Sequence, residues 1–175
     1  MKVILNCEKI SHIVESLASQ IASHISAGQN IAVIGVRSRG EVLAQRLALL
    51  LSEKTGKKLP SGTLDITLYR DDFNVSPSPS QPKVRTTEIP FDISDKIIIL
   101  VDDVLYTGRS ARAAMDALID LGRPKAIRLA VLVDRIGREL PIQADYKGHR
   151  IDIQPEKVVH VQLRETDDHE QVVIE

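Results

Sequence analysis

Residues 96–110 read Lys-Ile-Ile-Ile-Leu-Val-Asp-Asp-Val-Leu-Tyr-Thr-Gly-Arg-Ser, and this stretch decides the fold. Ile97–Val101 is an unbroken apolar run that ends on two adjacent carboxylates, Asp102 and Asp103. A run of that length and kind suits a strand buried on both faces of a parallel sheet. In a regular pleat the two carboxylates point to opposite sides, so their charges need not oppose each other at full strength. The turn Tyr106-Thr107-Gly108-Arg109-Ser110 follows, and a helix opens from it. Gly108 permits close backbone approach or positive φ. The N-terminus of the helix offers unpaired N–H groups and a partial positive charge. Thr107 and Ser110 add hydroxyls, and Arg109 adds a cation. Carboxylates accept hydrogen bonds from hydroxyls, and such a turn accepts an anion, so the pattern suits a sugar phosphate. The acidic pair alone would fit a receiver-type or flavodoxin-like sheet, or a plain capped helix, equally well. The polar turn directly behind it favours the sugar phosphate. No Gly-x-x-x-x-Gly-Lys-Ser/Thr pattern points to a nucleotide P-loop.

Outward from this stretch the chain alternates strands with helices. Val3–Leu5 is a short strand or extended lead. From Glu8 to about Ala27, apolar residues at Ile10, Ile13, Val14, Leu17, Ala18, Ile21 and Ile25 have helical spacing, which Gly28 ends. Ile31–Val36 is a buried strand, Glu41–Leu51 a helix ending near Gly56, and Leu64–Tyr69 alternates as a strand. Ser110–Leu121 is a helix stopped by Gly122 and Pro124, and Ala126–Val133 is another buried strand. Gly137–Tyr146 reads as irregular, with late strands at Val158–Leu163 and Gln171–Ile174. The expected class is α/β: one domain, residues 1–175, with a mainly parallel sheet flanked by helices. Ligands in such sheets bind at the carboxyl ends of the strands.

Three further segments leave strands at that end. Arg37-Ser38-Arg39-Gly40 places two guanidiniums, a hydroxyl and a glycine within four residues, which suits pyrophosphate, although a solvated basic turn reads the same in isolation. Tyr69-Arg70-Asp71-Asp72 opens a stretch, residues 71–90, that holds Pro77, Pro79, Pro82 and Pro90 and few apolar side chains. A loop of that length is a mobile cover over a reacting sugar or a tolerated surface insertion. Val133-Asp134-Arg135-Ile136 leads into Arg138-Glu139-Leu140-Pro141, an edge able to hold a flat ring or to serve as a charged surface loop.

Composition narrows the classes. A formal net charge of −1 argues against bulk electrostatic binding of nucleic acid, though it leaves room for a local basic patch. The single Cys7 excludes an internal disulfide and a cysteine-based zinc site and fits a reducing cytoplasm. Five scattered histidines lack metal-ligand spacing and are expected at the surface. No apolar run reaches the length of a membrane span, and no N-terminal signal pattern is present.

Ile98–Ser110 resembles the thirteen-residue phosphoribosyl-pyrophosphate signature of type I phosphoribosyltransferases. Asp65-Ile-Thr-Leu-Tyr-Arg-Asp-Asp72, Met115-Asp-Ala-Leu118, Leu121-Gly-Arg-Pro124, Leu129-Ala-Val-Leu-Val-Asp-Arg135, Arg138-Glu-Leu-Pro-Ile142 and Ala144-Asp-Tyr146 are similar to the PyrR family in particular. Members of that family are bifunctional pyrimidine-operon regulators and uracil phosphoribosyltransferases. The resemblance runs from about Val3 to Leu163. It implies the conversion of uracil and phosphoribosyl pyrophosphate (PRPP) to UMP and pyrophosphate with Mg²⁺, by a homodimer or larger assembly carrying a flexible lid and a small base-binding hood. By position it places Asp102 and Asp103 on the ribose hydroxyls and Val104, Leu105 and Tyr106–Ser110 around the 5′-phosphate. Arg37–Gly40, including Arg39 as a catalytic cation, becomes the pyrophosphate loop, Tyr69–Asp72 the start of the lid, and Val133–Ile136 the base pocket. The metal is expected on substrate oxygens and water, without a dedicated protein cage. No general base is assigned.

Two departures stand out. The family commonly has Gly-His after Val-Asp-Arg, where this chain has Ile136-Gly137. Its regulatory members bind messenger RNA on a basic surface to which the first helix contributes, yet no Lys or Arg occurs between Lys9 and Arg37 here. Arg123, Lys125, Arg128, Arg135, Arg138, Lys147 and Arg150 remain as candidates for a patch elsewhere. Alternatives to the uracil enzyme are an RNA-binding attenuator with little catalysis and a purine phosphoribosyltransferase. The Asp65–Asp72 and Arg138–Pro141 stretches argue against the purine enzyme.

Overall fold

The computed structural model describes residues 1–71 and 84–175. Five parallel strands form the main sheet in the order β3-β2-β4-β5-β6: β2 (Ile31–Val36), β3 (Ser61–Leu64), β4 (Ile97–Leu105), β5 (Ala126–Arg135) and β6 (Tyr146–Ile151). Helices α1 (Cys7–His24) and α2 (Arg39–Thr55) cover one face and α3 (Arg109–Leu121) the other. The expected parallel sheet flanked by helices is thus the architecture observed. A small antiparallel sheet, β1-β8-β7, joins β1 (Lys2–Asn6), β8 (Gln171–Ile174) and β7 (Val159–Gln162), with the one-turn helix α4 (Arg164–Asp167) between β7 and β8. It takes the place of the expected hood.

Strand alternation divides the core in two. In β2 and β4, Ile31, Val33, Ile99 and Val101 pack with α1 and α2. Ala32, Ile34, Ile98 and Leu100 pack with Ala113, Ala114, Ala117 and Leu118 of α3. Both sets are sealed from water, which accounts for apolar runs without polar interruption. The alternation breaks in β4 just past the acidic pair. Val104 packs on the α1/α2 side and Leu105 on the α3 side, opposite to what Val101 sets up. In β5 Leu132 and Val133 both belong to the α1/α2 side, so the two neighbouring strands shift phase together at the edge of the cleft.

Several boundaries differ from the sequence reading. Leu64–Tyr69 is not a strand: β3 precedes it, and Thr67–Tyr69 forms a 3₁₀ turn. The turn is set by Asp65, whose carboxylate accepts from the Thr67 amide and hydroxyl at 3.3 and 2.7 Å, a local competition that short polar side chains often win. β6 lies between the irregular stretch and the late strands, where the sequence reading assigns no element, because an edge strand of Lys, Gly, His and Arg carries no apolar run. α1 stops at His24, before Gly28, with Asn6 capping its start through a 3.0 Å bond from the Lys9 amide. β4 and β5 extend beyond their apolar segments, to Leu105 and Arg135. Only Arg37 and Ser38 lie between β2 and α2, since the helix already begins at Arg39.

That early start brings α2 onto β4. A Cβ on Gly40 would stand 2.6 Å from the Val101 carbonyl oxygen and 3.1 Å from Asp102 Cα. Only glycine permits this approach, and it sets the Arg37–Gly40 segment beside the acidic pair. Gly40→Ala is expected to destabilise the protein by about 1–3 kcal/mol through overpacking against backbone. Urea denaturation checks this, and an unchanged midpoint would mean that α2 can retreat from β4.

Candidate active site

At the carboxyl end of β4, Asp102 is buried and Asp103 half-buried. Asp102 accepts the Asp103 amide at 2.9 Å, and Asp103 accepts the Val104 amide at 2.9 Å. Burial first, and then the Asp103 charge, hold the Asp102 carboxyl well above the usual carboxylate range. The two carboxyl groups therefore feel each other, although burial is the larger cause.

The turn after β4 lines a cleft of about 540 Å³, bounded by Val104–Ala111 together with Arg70, Asp71 and Glu139. Gly108 adopts φ +93° and precedes the first residue of α3, as the turn chemistry requires. The Thr107 hydroxyl accepts the Arg109 amide at 3.3 Å, and the Thr107 carbonyl accepts the amides of Glu139 and Leu140 at 2.9 and 3.1 Å. The Arg109 guanidinium is held between Asp71 and Glu139, each at 2.7 Å. Its charge is thus shared with two carboxylates, one of them at the start of the expected lid.

The expected lid residues are split. Tyr69 docks on α3: its hydroxyl donates to Asp120 at 2.8 Å, and its carbonyl accepts from Arg112 at 2.8 Å. Arg70 and Asp71 border the cleft. Asp72 lies outside the described residues, as does most of the 71–90 stretch expected to be mobile. The returning segment is tied at its base, where Thr63 and Glu88 form a two-bond antiparallel bridge. Glu88 also meets Arg37 at 3.2 Å, while Glu41 meets the same guanidinium at 3.5 Å. Ser38 precedes α2 without capping it. Arg39 pairs with Asp167 of α4.

Three of the four expected base-pocket side chains are engaged elsewhere. Val133 is sealed in the core, so only its backbone is available to a ligand. Asp134 forms an ion pair with Arg138. Arg135 is 4% exposed, donates to the carbonyls of Gln154, Pro155 and Lys157, and stacks 3.8 Å from the centre of the Tyr106 ring. Ile136 alone is exposed. The departure at Ile136-Gly137 has a local counterpart in the structure: Gly137 adopts φ +128°, and a Cβ there would stand 2.4 Å from Tyr106 Cε2. A glycine at 137 lets the chain pass across the ring that Arg135 covers.

Arg138, a basic-patch candidate from sequence, is turned inward. Its guanidinium donates to the carbonyls of Tyr106, Arg135 and Ile142 at 2.6, 2.8 and 2.8 Å, besides pairing with Asp134. One cation thus binds the turn after β4 to the loop that follows β5. Because Arg135 and Arg138 are committed in this way, neither is available to a surface basic patch. The exposure expected of the histidines holds for His12, His24, His160 and His169, whereas His149 is half-buried. Among the described residues no three His, Cys, Asp or Glu side chains gather into a metal site, and no helix is long and apolar enough to cross a membrane.

This combination, an acidic strand end beside a phosphate-type turn and a two-arginine loop, defines a class, the phosphoribosyltransferases. The phosphoribosyl transferase domain model matches residues 2–167. The bifunctional protein PyrR of Deinococcus radiodurans is 54% identical over 94% of this chain and 88% of its own length. That of Pelotomaculum thermopropionicum is 48% identical over 98% and 93%. Among solved structures, a hypoxanthine-guanine phosphoribosyltransferase from Bacillus anthracis superposes with a TM-score of 0.72 over 100% of this chain and 98% of that one, at 20% identity. The HGPRT-ase of Leishmania tarentolae in complex with GMP gives 0.72 over 99% and 95% at 15% identity. At those identities the structures share the fold. The chain belongs to the PyrR family, as its motifs imply, and its activity class is that of its domain: a glycosyltransferase that moves phosphoribosyl groups.

The raised Asp102 carboxyl yields a signed prediction. A carboxyl whose folded pKa exceeds its unfolded one contributes stability while protonated and loses it as pH rises through the folded value. Asp102→Asn should therefore melt higher than wild type at pH 7.5, by about 2–4 °C for each kcal/mol relieved. The gap should shrink as pH falls and vanish only below about pH 3, where the carboxyl is protonated in the unfolded chain as well. Thermal denaturation across that pH range checks it.

Proposed function

We propose that the cleft at the end of β4 joins uracil N1 to C1′ of PRPP, with departure of pyrophosphate and loss of the N1 proton. One observation carries the reading: Gly40 lets α2 abut β4, which sets the Arg37–Gly40 loop beside Asp102, while the turn that follows the acidic pair lines the cleft. A ribose held there would present its 2′- and 3′-hydroxyls to Asp102 and Asp103, its 5′-phosphate to Tyr106–Ser110 and its pyrophosphate to Arg37–Gly40. Val104 and Leu105 would flank the sugar, and Tyr69, Arg70, Asp71 and Asp72 would open the lid that excludes water.

Displacement at an anomeric carbon passes through an oxocarbenium-like state, as in glycoside cleavage. Carboxylates beside the ribose favour that developing positive charge. Arg37 and Arg39 offset the charge gathering on the leaving group. Uracil would lie along Val133–Ile136 through backbone groups, because three of those side chains are already engaged. Mg²⁺ fits this donor set as a substrate-borne ion: isolated carboxylates suit one or two contacts, with Asp103 as the accessible ligand, and the metal would neutralise charge on the pyrophosphate. No described side chain is assigned as general base.

The relatives carry the word bifunctional in their names, which supports a second activity, regulation of pyrimidine genes through leader mRNA. Exposed α1 residues include Ser11, His12, Glu15, Ser16, Ser19 and Gln20, so RNA contacts would draw their cations from other elements, such as Lys125, Arg128, Lys147 and Arg150. A gel shift with the leader of its own pyrimidine genes, at stated salt and with UMP, tests that activity.

Incubating the protein with PRPP, Mg²⁺ and separately uracil, hypoxanthine, guanine or orotate tests the catalytic reading. UMP should form from uracil and no nucleotide from the purines; turnover confined to a purine would overturn the assignment. The double variant Asp102→Asn/Asp103→Asn should lose activity by at least about 10³-fold while keeping its circular dichroism. Near-normal turnover would remove the pair from the mechanism.

A further inference from the structure

We propose that Asp167, in the one-turn helix α4 of the small antiparallel sheet, is a positioning residue for Arg39. It locks one edge of the guanidinium and leaves the opposite edge to the pyrophosphate of the ribose donor. The inference rests on the pyrophosphate-loop reading above and adds to it a residue 128 positions away in sequence.

Arg39 Nε and Nη2 donate to Asp167 Oδ2 and Oδ1 at 3.1 and 2.6 Å, a side-on, two-point contact. A guanidinium carries five N–H donors in a fixed plane. Two are spent here, and those on Nη1 remain on the opposite side. A two-point grip fixes the plane of the group as well as its position, which a single bond or a lysine would not do. Pyrophosphate would then bind the open edge without displacing the carboxylate.

Asp167 is itself held in place. Oδ2 also accepts the Leu163 amide at 3.0 Å and the Thr166 hydroxyl at 2.6 Å, so the carboxylate is oriented by its own turn before Arg39 reaches it. Its side chain is only 16% exposed. The Arg39 bonds, opposed in part by desolvation, bring its carboxyl down to about 2, so it stays ionised throughout the physiological range. Arg39 also feels the charge of Asp103, a member of the acidic pair.

Fastening α4 to the body does not require this contact. Arg46, two helical turns after Arg39 on the same face of α2, grips Glu165 at 3.0 and 2.7 Å and Glu170 at 2.5 Å. The second grip falls on a residue of the pyrophosphate loop, where orientation matters for the departing group.

The test compares full-length wild type with Asp167→Asn, Asp167→Glu, Glu165→Gln, Arg39→Lys and the Arg39→Lys/Asp167→Asn double variant. Steady-state kinetics are read for PRPP and uracil separately, and binding of magnesium pyrophosphate is read by calorimetry. Asp167→Asn should lower kcat/KM for PRPP about tenfold and weaken pyrophosphate binding, leaving KM for uracil within about twofold. Asp167→Glu should recover part of the loss. Glu165→Gln, which loosens α4 without touching Arg39, should bind pyrophosphate as wild type does. In the double variant the losses should overlap rather than multiply. Unchanged pyrophosphate binding in Asp167→Asn, an equal loss in Glu165→Gln, or losses that multiply would each overturn the proposal. If Asp167→Asn does not fold, Asp167→Glu against Glu165→Gln decides: weaker binding only in the former supports it, and equal binding overturns it. A wild type that neither binds pyrophosphate nor turns over PRPP would instead remove the functional reading beneath it.

Discussion

The structure depends on how closely α2 can approach β4. Two loops that carry opposite charge, one from each of two neighbouring parallel strands, meet only because Gly40 has no side chain to hold the helix away from the Val101 carbonyl. A parallel sheet makes such meetings natural, since successive strands end on the same side. The distance at which they meet is set by that one contact.

The acidic pair is bound up with the same constraint. Asp102 sits under the first turn of α2, where burial disfavours its charge. The fold therefore carries a carboxyl group in surroundings that do not favour its ionised form. Strain of that kind is common where chemistry is performed. The phase shift shared by β4 and β5 is part of this arrangement: it turns Val133 back into the core beside Leu132. Arg138 then takes up the carbonyl groups that the irregular backbone presents, and in doing so binds the turn after β4 to the loop after β5.

Much of this is legible in the sequence, for identifiable reasons. Ile31–Val36 and Ile97–Val101 are apolar without interruption because both faces are covered, and such runs are hard to mistake. The Asp-Asp and Thr-Gly-Arg-Ser elements declare their chemistry within a single local stretch. β6 escaped because an edge strand that pairs on one side only can be polar, and Tyr146–Ile151 is. The 3₁₀ turn at Thr67–Tyr69 escaped because Leu64–Tyr69 alternates like a strand, while Asp65 redirects the backbone through two bonds that periodicity does not register. Asp167 could not be found by any local signal. It lies in an unremarked acidic segment, and its significance comes from tertiary proximity to Arg39. Arg135 looked like a surface cation within a charged loop, whereas its partners are carbonyl groups roughly 20 residues further on.

The pairing of β1 with β8 sets Lys2 opposite Ile174. On the ribosome, the strand at residues 2–6 can find no neighbour until nearly the whole described sequence has emerged. The main sheet can assemble long before that, because its five strands all lie between Ile31 and Ile151. Closing so long a loop is among the slower events available to a chain of this size. The carboxylate that pairs with Arg39 arrives with that late closure, so a nascent chain would own a complete parallel sheet before that ion pair could form.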